Sequence, residues 1–186
     1  VLGIITKDTF CMAVAGTHGK TSTTYLLAQI FENLGFKPGY FIGGVIDGRP
    51  SARVGDGKYF FIESDEYDSA YFEKISKFRM YDINTILLTS LEFDHGDIFN
   101  DIEDIKDQFR AVIPNINKRI IYNSDYKAAR ELFDEYKDIE HLSTFGFDSS
   151  IGPEIVKVTK NKTLFSLKLG ETIYFFKTNL VGRHNI

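Results

Sequence analysis

The sequence has little that would tie it to a membrane, to nucleic acid or to an oxidising compartment. It contains one cysteine, Cys11, so an internal disulfide bond is excluded and a small core residue is the expected role of this side chain. No apolar stretch approaches the roughly 18 residues that a membrane-spanning helix needs, and no signal peptide is visible. The net charge of −4 provides no basic patch for nucleic acid or a membrane surface. These absences predict a protein of the reducing cytoplasm.

The bulk composition is that of an ordinary globular protein. The 186 residues, 43% of them hydrophobic and 26% charged, are enough for one substantial core. The chain begins at Val1 without Met, and it stops at residues 182–186, where a further element begins. We therefore expect it to be a piece of a longer protein.

The most informative segment lies near the start of the chain. An apolar strand leads into Gly16-Thr17-His18-Gly19-Lys20-Thr21-Ser22, and an amphipathic helix follows. The glycines let the backbone approach an anion, the helix N-terminus donates N–H groups to it, and Lys20, expected to be exposed, adds a positive charge. The hydroxyl of Thr21 is placed to bind Mg²⁺ between phosphates. The segment predicts a nucleoside triphosphate site, although Val14 stands where the commoner pattern G-x-x-x-x-G-K-[ST] has Gly.

Short apolar strands alternate with amphipathic helices through the first three quarters of the chain. Candidate strands cover residues 12–15, 59–62, 85–89, 119–122 and 143–147, and candidate helices cover residues 21–34, 101–113 and 126–136. This order predicts an α/β fold similar to the P-loop NTPases, with a mostly parallel sheet and helices on both faces. Residues 43–57 are glycine-rich and predict a long loop. Residues 154–160, 163–169 and 171–179 predict a small antiparallel three-stranded meander near the C-terminus.

Acidic residues follow the second candidate strand, at residues 63–68. The carboxyl ends of parallel strands line the ligand crevice, and Mg²⁺ beside phosphates needs only one or two carboxylates. Glu63, nearest the strand end, is the predicted metal ligand. The alternative is a solvated acidic turn that caps a helix near residues 69–73.

A second cluster of polar residues follows the third candidate strand. It contains His95 between Asp94 and Asp97, at a strand end that the fold would place in the same crevice. We predict a role for His95 in that crevice. The alternative is a histidine that caps a surface turn.

With these motifs placed, the chain resembles the central ATP-binding domain of the Mur ligases, which attach amino acids or peptides to UDP-N-acetylmuramic acid. The family loop G-T-[HN]-G-K-T-[ST] is matched by residues 16–22, and His18 resembles the branch that adds L-alanine or a recycled tripeptide. Residues 63–68 and 91–99 are most similar to the tripeptide enzymes. Residues 182–185 match the start of the family segment G-x-H-N-x-x-N.

The resemblance implies that residues 1–186 form one central domain, with a UDP-sugar domain before it and an amine-binding domain after it. It implies ATP and Mg²⁺ as cofactors. Lys20 would be the catalytic residue and contact the β- and γ-phosphates. Thr21 and Glu63 would hold one Mg²⁺ and His95 a second. The nucleotide would contact Gly16, Thr17, His18, Gly19, Lys20, Thr21, Ser22, His184 and Asn185. Many members have Asn at the position of Ser90, so no ligand role is assigned to this residue.

The implied activity is an ATP-dependent ligation in cell-wall peptidoglycan synthesis or recycling. A tripeptide containing L-alanine would be joined to UDP-N-acetylmuramate through an acyl phosphate, and the isolated domain would be nearly inactive. Addition of L-alanine alone is the first alternative. Folylpolyglutamate synthase shares the architecture, but its loop typically has Asn in place of His18. An ATP- or GTP-dependent switch is the alternative from another class.

Overall fold

A computed structural model describes residues 2–45, 48–65, 68–70, 73–76, 79, 81–93, 99–180 and 182. The chain divides into two compact units, Val1–Tyr122 with Tyr126–Ser143 and Asn123–Asp125 with Thr144–Ile186. The helices are α1 Leu2–Asp8, α2 Lys20–Asn33, α3 Ile102–Arg110 and α4 Lys127–Asp134, with a 3-10 turn at Ile113–Asn115. The strands are β1 Phe10–Ala15, β2 Gly39–Phe41, β3 Ala52–Arg53, β4 Tyr59–Glu63, β5 Asp68–Ala70, β6 Glu73–Ser76, β7 Thr85–Leu88, β8 Arg119–Asn123, β9 Leu142–Phe145, β10 Pro153–Thr159, β11 Lys162–Leu169 and β12 Thr172–Thr178.

Seven of these strands form one sheet in the order β3-β2-β4-β1-β7-β8-β9. β1 lies between β4 and β7 and is parallel to both. β2 is parallel to β4 and β8 is parallel to β7, whereas β3 pairs with β2 in the antiparallel direction. The predicted mostly parallel sheet is confirmed.

The two faces of this sheet carry separate hydrophobic clusters. Because successive side chains of a strand point to opposite faces, Cys11 and Ala13 of β1 join the cluster that contains Phe109 of α3 and Leu132 of α4. Met12 lies between them in sequence and packs with the cluster of α2. Helices therefore cover both faces, as predicted.

Cys11 is fully buried in the first of these clusters. Burial, and to a smaller extent the charge of Asp82, raises the pKa of its thiol to about 12. The thiol is therefore uncharged at neutral pH and unreactive, which agrees with the predicted core role.

Helix α3 begins and ends for local reasons. The carboxylate of Asp101 caps its N-terminus by accepting hydrogen bonds from the backbone N–H groups of Glu103 and Asp104. The predicted helix ran to residue 113, but α3 ends at Arg110 and a 3-10 turn containing Pro114 follows. The residue before a proline is disfavoured in the α conformation, which explains the earlier end.

Lys106 joins α3 to α4 through two carboxylates. Its buried Nζ donates to Glu103 Oε1 at 2.8 Å and to Glu131 Oε2 at 2.9 Å. Burial alone would lower the pKa of Lys106, but the two hydrogen-bonded carboxylates outweigh it and raise the pKa above its ordinary value. This lysine is therefore charged and has a structural role between the helices.

Several other local features differ from the prediction. The alternative of a helix near residues 69–73 is wrong, because β5 and β6 pair there as antiparallel strands. A helix this short forms too few hydrogen bonds to offset its nucleation, whereas strand pairing satisfies the same backbone groups. The predicted loop 43–57 contains β3, whose two residues are too few to show an alternating pattern. Helix α1 and strand β2 were not predicted.

The second unit contains the sheet β10-β11-β12. Both pairs of strands are antiparallel, and Gly170 makes the turn between β11 and β12 with a φ of 61°. The rings of Phe165 and Phe176 stack across these two strands with centroids 5.1 Å apart. The predicted C-terminal meander is confirmed.

None of the helices among the described residues is long and apolar enough to cross a membrane.

A pair of leucine truncations tests the position of the core. Leu132 is fully buried in α4, whereas Leu34 at the end of α2 is 67% exposed. We expect Leu132→Ala to lower the free energy of unfolding by about 2–5 kcal/mol, because it removes buried methyl groups and leaves a cavity. The matched change Leu34→Ala is expected to stay within about 0.5 kcal/mol of the wild type. Urea denaturation of both variants measures the difference, and equal costs would contradict the assigned core.

Candidate functional site

Three chain segments meet at the carboxyl edge of the main sheet. The loop of residues 16–19 follows the central strand β1, Glu63 ends β4 on one side, and Thr89 follows β7 on the other. The ladder continues past the strand ends, because Ser64 N donates to Val14 O at 2.9 Å and Thr89 N donates to Ala15 O at 3.0 Å. The sheet therefore fixes the distance between the loop and both of its neighbours.

Two glycines give the loop its shape. Gly16 has a φ of 127°, and a Cβ atom there would lie 2.6 Å from the carbonyl oxygen of Ser90. Gly19 has a φ of 82° and is the N-cap of α2. Both positions lie in the left-handed region that favours glycine. At residue 16 there is also no room for a side chain, because the backbone after β7 is so close.

Hydroxyl groups after β7 hold the loop peptide of His18. Ser90 Oγ accepts a hydrogen bond from His18 N at 2.7 Å and donates to His18 O at 3.2 Å. Thr89 Oγ1 lies 2.6 Å from the same carbonyl oxygen and 3.0 Å from Ala15 O. Ser90 is 1% exposed, so water competes little for the bonds that its hydroxyl makes. Ser90 therefore positions the loop, a role that its strand-end location in the sequence did not reveal.

This arrangement divides the loop amides into two groups. The amides of Thr17 and His18 turn inward, where Thr17 N donates to Ser90 O at 3.3 Å and His18 N donates to the hydroxyl of the same serine. The amides of Thr21 and Ser22 belong to the first turn of α2, where N–H groups point toward the helix N-terminus. The first turn of α2 is therefore the part of the loop best arranged to bind an anion.

Lys20 is held inside the site. Its side chain is 10% exposed, its Nζ donates to Gly16 O at 2.7 Å, and Nζ lies 3.5 Å from Asp65 Oδ1. The predicted exposure of this lysine is wrong, because the ammonium folds back over the loop. The ammonium thus lies between a loop carbonyl and a carboxylate, next to the first turn of α2.

Thr21 and Glu63 form the oxygen-rich part of the site. Thr21 Oγ1 donates to Glu63 Oε1 at 2.8 Å, and Gly43 N donates to Glu63 Oε2 at 2.8 Å. A Cβ atom at Gly44 would lie 2.9 Å from Thr21 Cγ2, so the loop after β2 packs closely against the same threonine. The structure brings together the two residues that were predicted to share a Mg²⁺ ion.

The donor set of Thr21 and Glu63 fits Mg²⁺. The described residues contain no group of three or more His, Cys, Asp or Glu side chains that could hold a metal ion. Mg²⁺ prefers oxygen ligands, keeps several waters, and is bound by one or two carboxylates together with substrate phosphates. One carboxylate and one hydroxyl beside an anion-binding helix end satisfy that requirement.

The outer part of the loop carries a contact between a histidine and a carboxylate. His18 Nε2 lies 3.5 Å from Glu92 Oε2, and both side chains are more than half exposed. Thr17 Oγ1 donates to Glu92 O at 3.1 Å, which ties the loop backbone to the same segment. The pair is weak because water screens it, so the backbone contact is the firmer link.

The remaining predicted site residues, His95, His184 and Asn185, lie outside the described residues.

Comparison with known proteins gives a consistent picture. Residues 14–186 match the family model described as Mur ligase middle domain. The chain is 35% identical over 188 residues to the UDP-N-acetylmuramate--L-alanyl-gamma-D-glutamyl-meso-2,6-diaminoheptandioate ligase of Haemophilus influenzae, and 37% identical over 195 residues to the Escherichia coli protein of that name. These alignments cover 97% and 98% of the chain but 40% of each relative, so the chain spans about two fifths of their length.

A solved structure agrees in fold. The crystal structure of UDP-N-acetylmuramate:L-alanyl-gamma-D-glutamyl-meso-diaminopimelate ligase from Neisseria meningitides superposes with a TM-score of 0.83 at 32% sequence identity. The match covers 97% of this chain and 58% of that one.

A pair of serine truncations tests the role of Ser90. We expect Ser90→Ala to lower the free energy of unfolding by about 1 kcal/mol, because it leaves the part-buried N–H of His18 without its acceptor. Ser64 is the matched control, since it is fully buried at the end of β4 and its hydroxyl has no hydrogen-bond partner among the described residues. Ser64→Ala is expected to change stability by less than about 0.5 kcal/mol. Urea denaturation would contradict the assignment if the two variants lost the same amount.

Proposed function

This chain belongs to the Mur ligase family, and from that membership we propose that it binds Mg·ATP and carries out the phosphoryl-transfer part of an amide ligation. The observation that carries the proposal is the juxtaposition of Lys20, Thr21 and Glu63 at the start of α2. Their ammonium, hydroxyl and carboxylate groups are held in place by hydrogen bonds and an ion pair at this helix N-terminus. Binding of triphosphate and a divalent cation uses these groups in this arrangement.

Each group has a distinct role in the proposal. The first-turn amides of α2 and Lys20 bind the β- and γ-phosphates, and Gly16, Thr17, His18 and Gly19 shape the loop that presents them. Thr21 and Glu63 hold one Mg²⁺, which when bound offsets phosphate charge during transfer. His95 is proposed for a second Mg²⁺, and His184 and Asn185 are proposed to contact the nucleotide.

The reaction that fits this site is activation of a carboxylate. A carboxylate oxygen of UDP-N-acetylmuramate attacks the γ-phosphorus of ATP, the bond to the bridging oxygen breaks, and ADP leaves. An amine then attacks the acyl phosphate, losing a proton, and inorganic phosphate leaves as the amide forms. Because both reactants of the first step are anions, the positive charge of Lys20 lowers the repulsion between them.

The amine that we propose is a tripeptide containing L-alanine. It is supported by the names of the Haemophilus influenzae and Escherichia coli relatives, which share 35% and 37% of residues with this chain. L-alanine alone is the alternative acceptor. Because the chain spans only part of those relatives, both substrates are proposed for the whole protein, acting in the cytoplasm where ATP is abundant.

An assay of coupled ADP release tests this function. The whole protein is expected to release ADP only when UDP-N-acetylmuramate and the tripeptide are both present, and to form the amide in equal amount. The 186-residue chain alone is expected to bind Mg·ATP without forming the amide. ADP release supported by L-alanine but not by the tripeptide would select the alternative acceptor, and ADP release that needs neither substrate would favour a nucleotide-driven switch.

Replacement of Lys20 tests the phosphate site. Lys20→Met keeps the buried stem of the side chain and removes the charge. We expect the rate of ADP formation by the whole protein to fall about a hundredfold or more, because the stabilising charge acts on the transferred phosphate. Lys37→Met is the control, since Lys37 is 75% exposed and pairs with Asp56 at the surface. A Lys20→Met protein with nearly normal turnover would refute the loop assignment.

Replacement of Glu63 tests the metal site. Glu63→Gln keeps the size of the side chain and its acceptor for Gly43 N, but it removes the negative charge. We expect the Mg²⁺ concentration for half-maximal rate to rise at least about tenfold, since a charged ligand is lost. Titration of the whole protein with MgCl₂ at saturating ATP measures this shift. An unchanged Mg²⁺ requirement would show that Glu63 only holds Thr21 in place.

A further inference from the structure

Asp65 is the one acidic side chain among the described residues that the function above leaves without a role although it faces Lys20. It follows Glu63 by two residues, just beyond the end of β4. Its Oδ1 lies 3.5 Å from Lys20 Nζ, and the two side chains are 17% and 10% exposed. The carboxylate therefore lies beside the ammonium that is proposed to bind phosphate, in a place that water reaches poorly.

Low exposure makes this charge pair matter for ligand binding. Attraction between opposite charges, and repulsion between like charges, are several times stronger at a poorly hydrated site than in bulk water. A buried ammonium without a counter-charge is unfavourable. Asp65 therefore stabilises the folded-back position of Lys20, in which Nζ also donates to Gly16 O at 2.7 Å.

The same carboxylate acts on an incoming triphosphate. A phosphate that reaches Lys20 Nζ comes close to the negative charge of Asp65 and is repelled by it. The phosphate must also replace the attraction between Asp65 and the ammonium. ATP without a metal ion carries its full negative charge into this position. ATP that arrives with Mg²⁺ carries less, and the cation would lie on the side of Thr21 and Glu63, near the end of the same strand.

We propose that Asp65 is a positioning residue that holds Lys20 in place and makes the site discriminate between Mg·ATP and metal-free ATP. The inference rests on the proposed function, because it names a determinant of selectivity within the same site. Asp65 acts through Lys20 and through charge, and it is not assigned as a metal ligand. This distinction can be measured, since a metal ligand and an electrostatic barrier change nucleotide binding in opposite ways.

The test compares nucleotide affinity with and without metal. Dissociation constants for ATP are measured by calorimetry on the wild type and on Asp65→Asn, once with excess EDTA and once with excess MgCl₂. We expect Asp65→Asn to bind metal-free ATP about tenfold more tightly than the wild type, because one nearby negative charge is lost. Its affinity for Mg·ATP is expected to change less. The ratio of the dissociation constant measured in EDTA to the one measured in MgCl₂ is therefore expected to be smaller in the variant than in the wild type.

Matched variants separate charge from packing. Asp56→Asn neutralises the exposed partner of Lys37, an Asp–Lys pair with side chains 60% and 75% exposed, and its ratio is expected to equal that of the wild type. Asp65→Glu keeps the charge and is expected to retain most of the discrimination. Asp65→Ser provides a second neutral side chain should the asparagine variant fail to fold, and melting temperatures identify the folded variants.

The possible outcomes are distinct. An unchanged ratio in the folded neutral variants overturns the proposal, and so does a loss of affinity confined to Mg·ATP, which would make Asp65 a metal ligand. A wild type that does not bind Mg·ATP, or a Lys20→Met variant that binds it equally well, would instead refute the proposed function. The two failures therefore cannot be confused.

Discussion

The position of β1 between β4 and β7 is the constraint on which the site depends. Parallel strands end at the same edge of a sheet, so the segments after these three strands are brought together by backbone pairing. The ladder continues for one residue on each side, through Ser64 N and Thr89 N. The loop of residues 16–19 is thereby fixed between a carboxylate on one flank and two hydroxyl groups on the other. A shift of either neighbour would separate Glu63 from Thr21 or Ser90 from His18.

The fixed spacing explains why the two sides of the loop have different roles. On the β7 side, Gly16 packs directly on the backbone of Ser90, and the serine hydroxyl bridges both polar groups of the His18 peptide. This side turns two amides inward and gives the loop its shape. On the β4 side, Glu63 and Asp65 face Thr21 and Lys20. That side carries the charges, and it is the side where a cation would be useful.

How much of this site could be predicted from the sequence depended on how far apart the interacting residues are along the chain. The loop, its helix and Glu63 were predictable because each lies in a segment where an apolar strand is followed at once by a polar motif. Ser90 was missed because its partner, His18, is 72 residues away in the chain, and only the pairing of β1 with β7 brings them together. The burial of Lys20 was missed for the same reason, since its counter-charge Asp65 follows β4 and is far from Lys20 in the chain. The short strands β2, β3, β5 and β6 were not predicted, because two to four residues are too few to display a period.

The contacts of this site mean that any ligand would have to exchange partners with the protein. Lys20 contacts Gly16 O and Asp65, and Thr21 donates to Glu63, so the groups proposed to bind phosphate and metal already have protein partners. Unpaired buried charges would be costly, and these contacts remove that cost. A ligand must therefore replace each contact with a stronger one, and affinity measures only the difference. Triphosphate and cation together can replace the partners of both Lys20 and Glu63, whereas triphosphate alone would leave two carboxylates facing it. The pairing of the loop with its protein partners would thus favour the joint binding of nucleotide and metal.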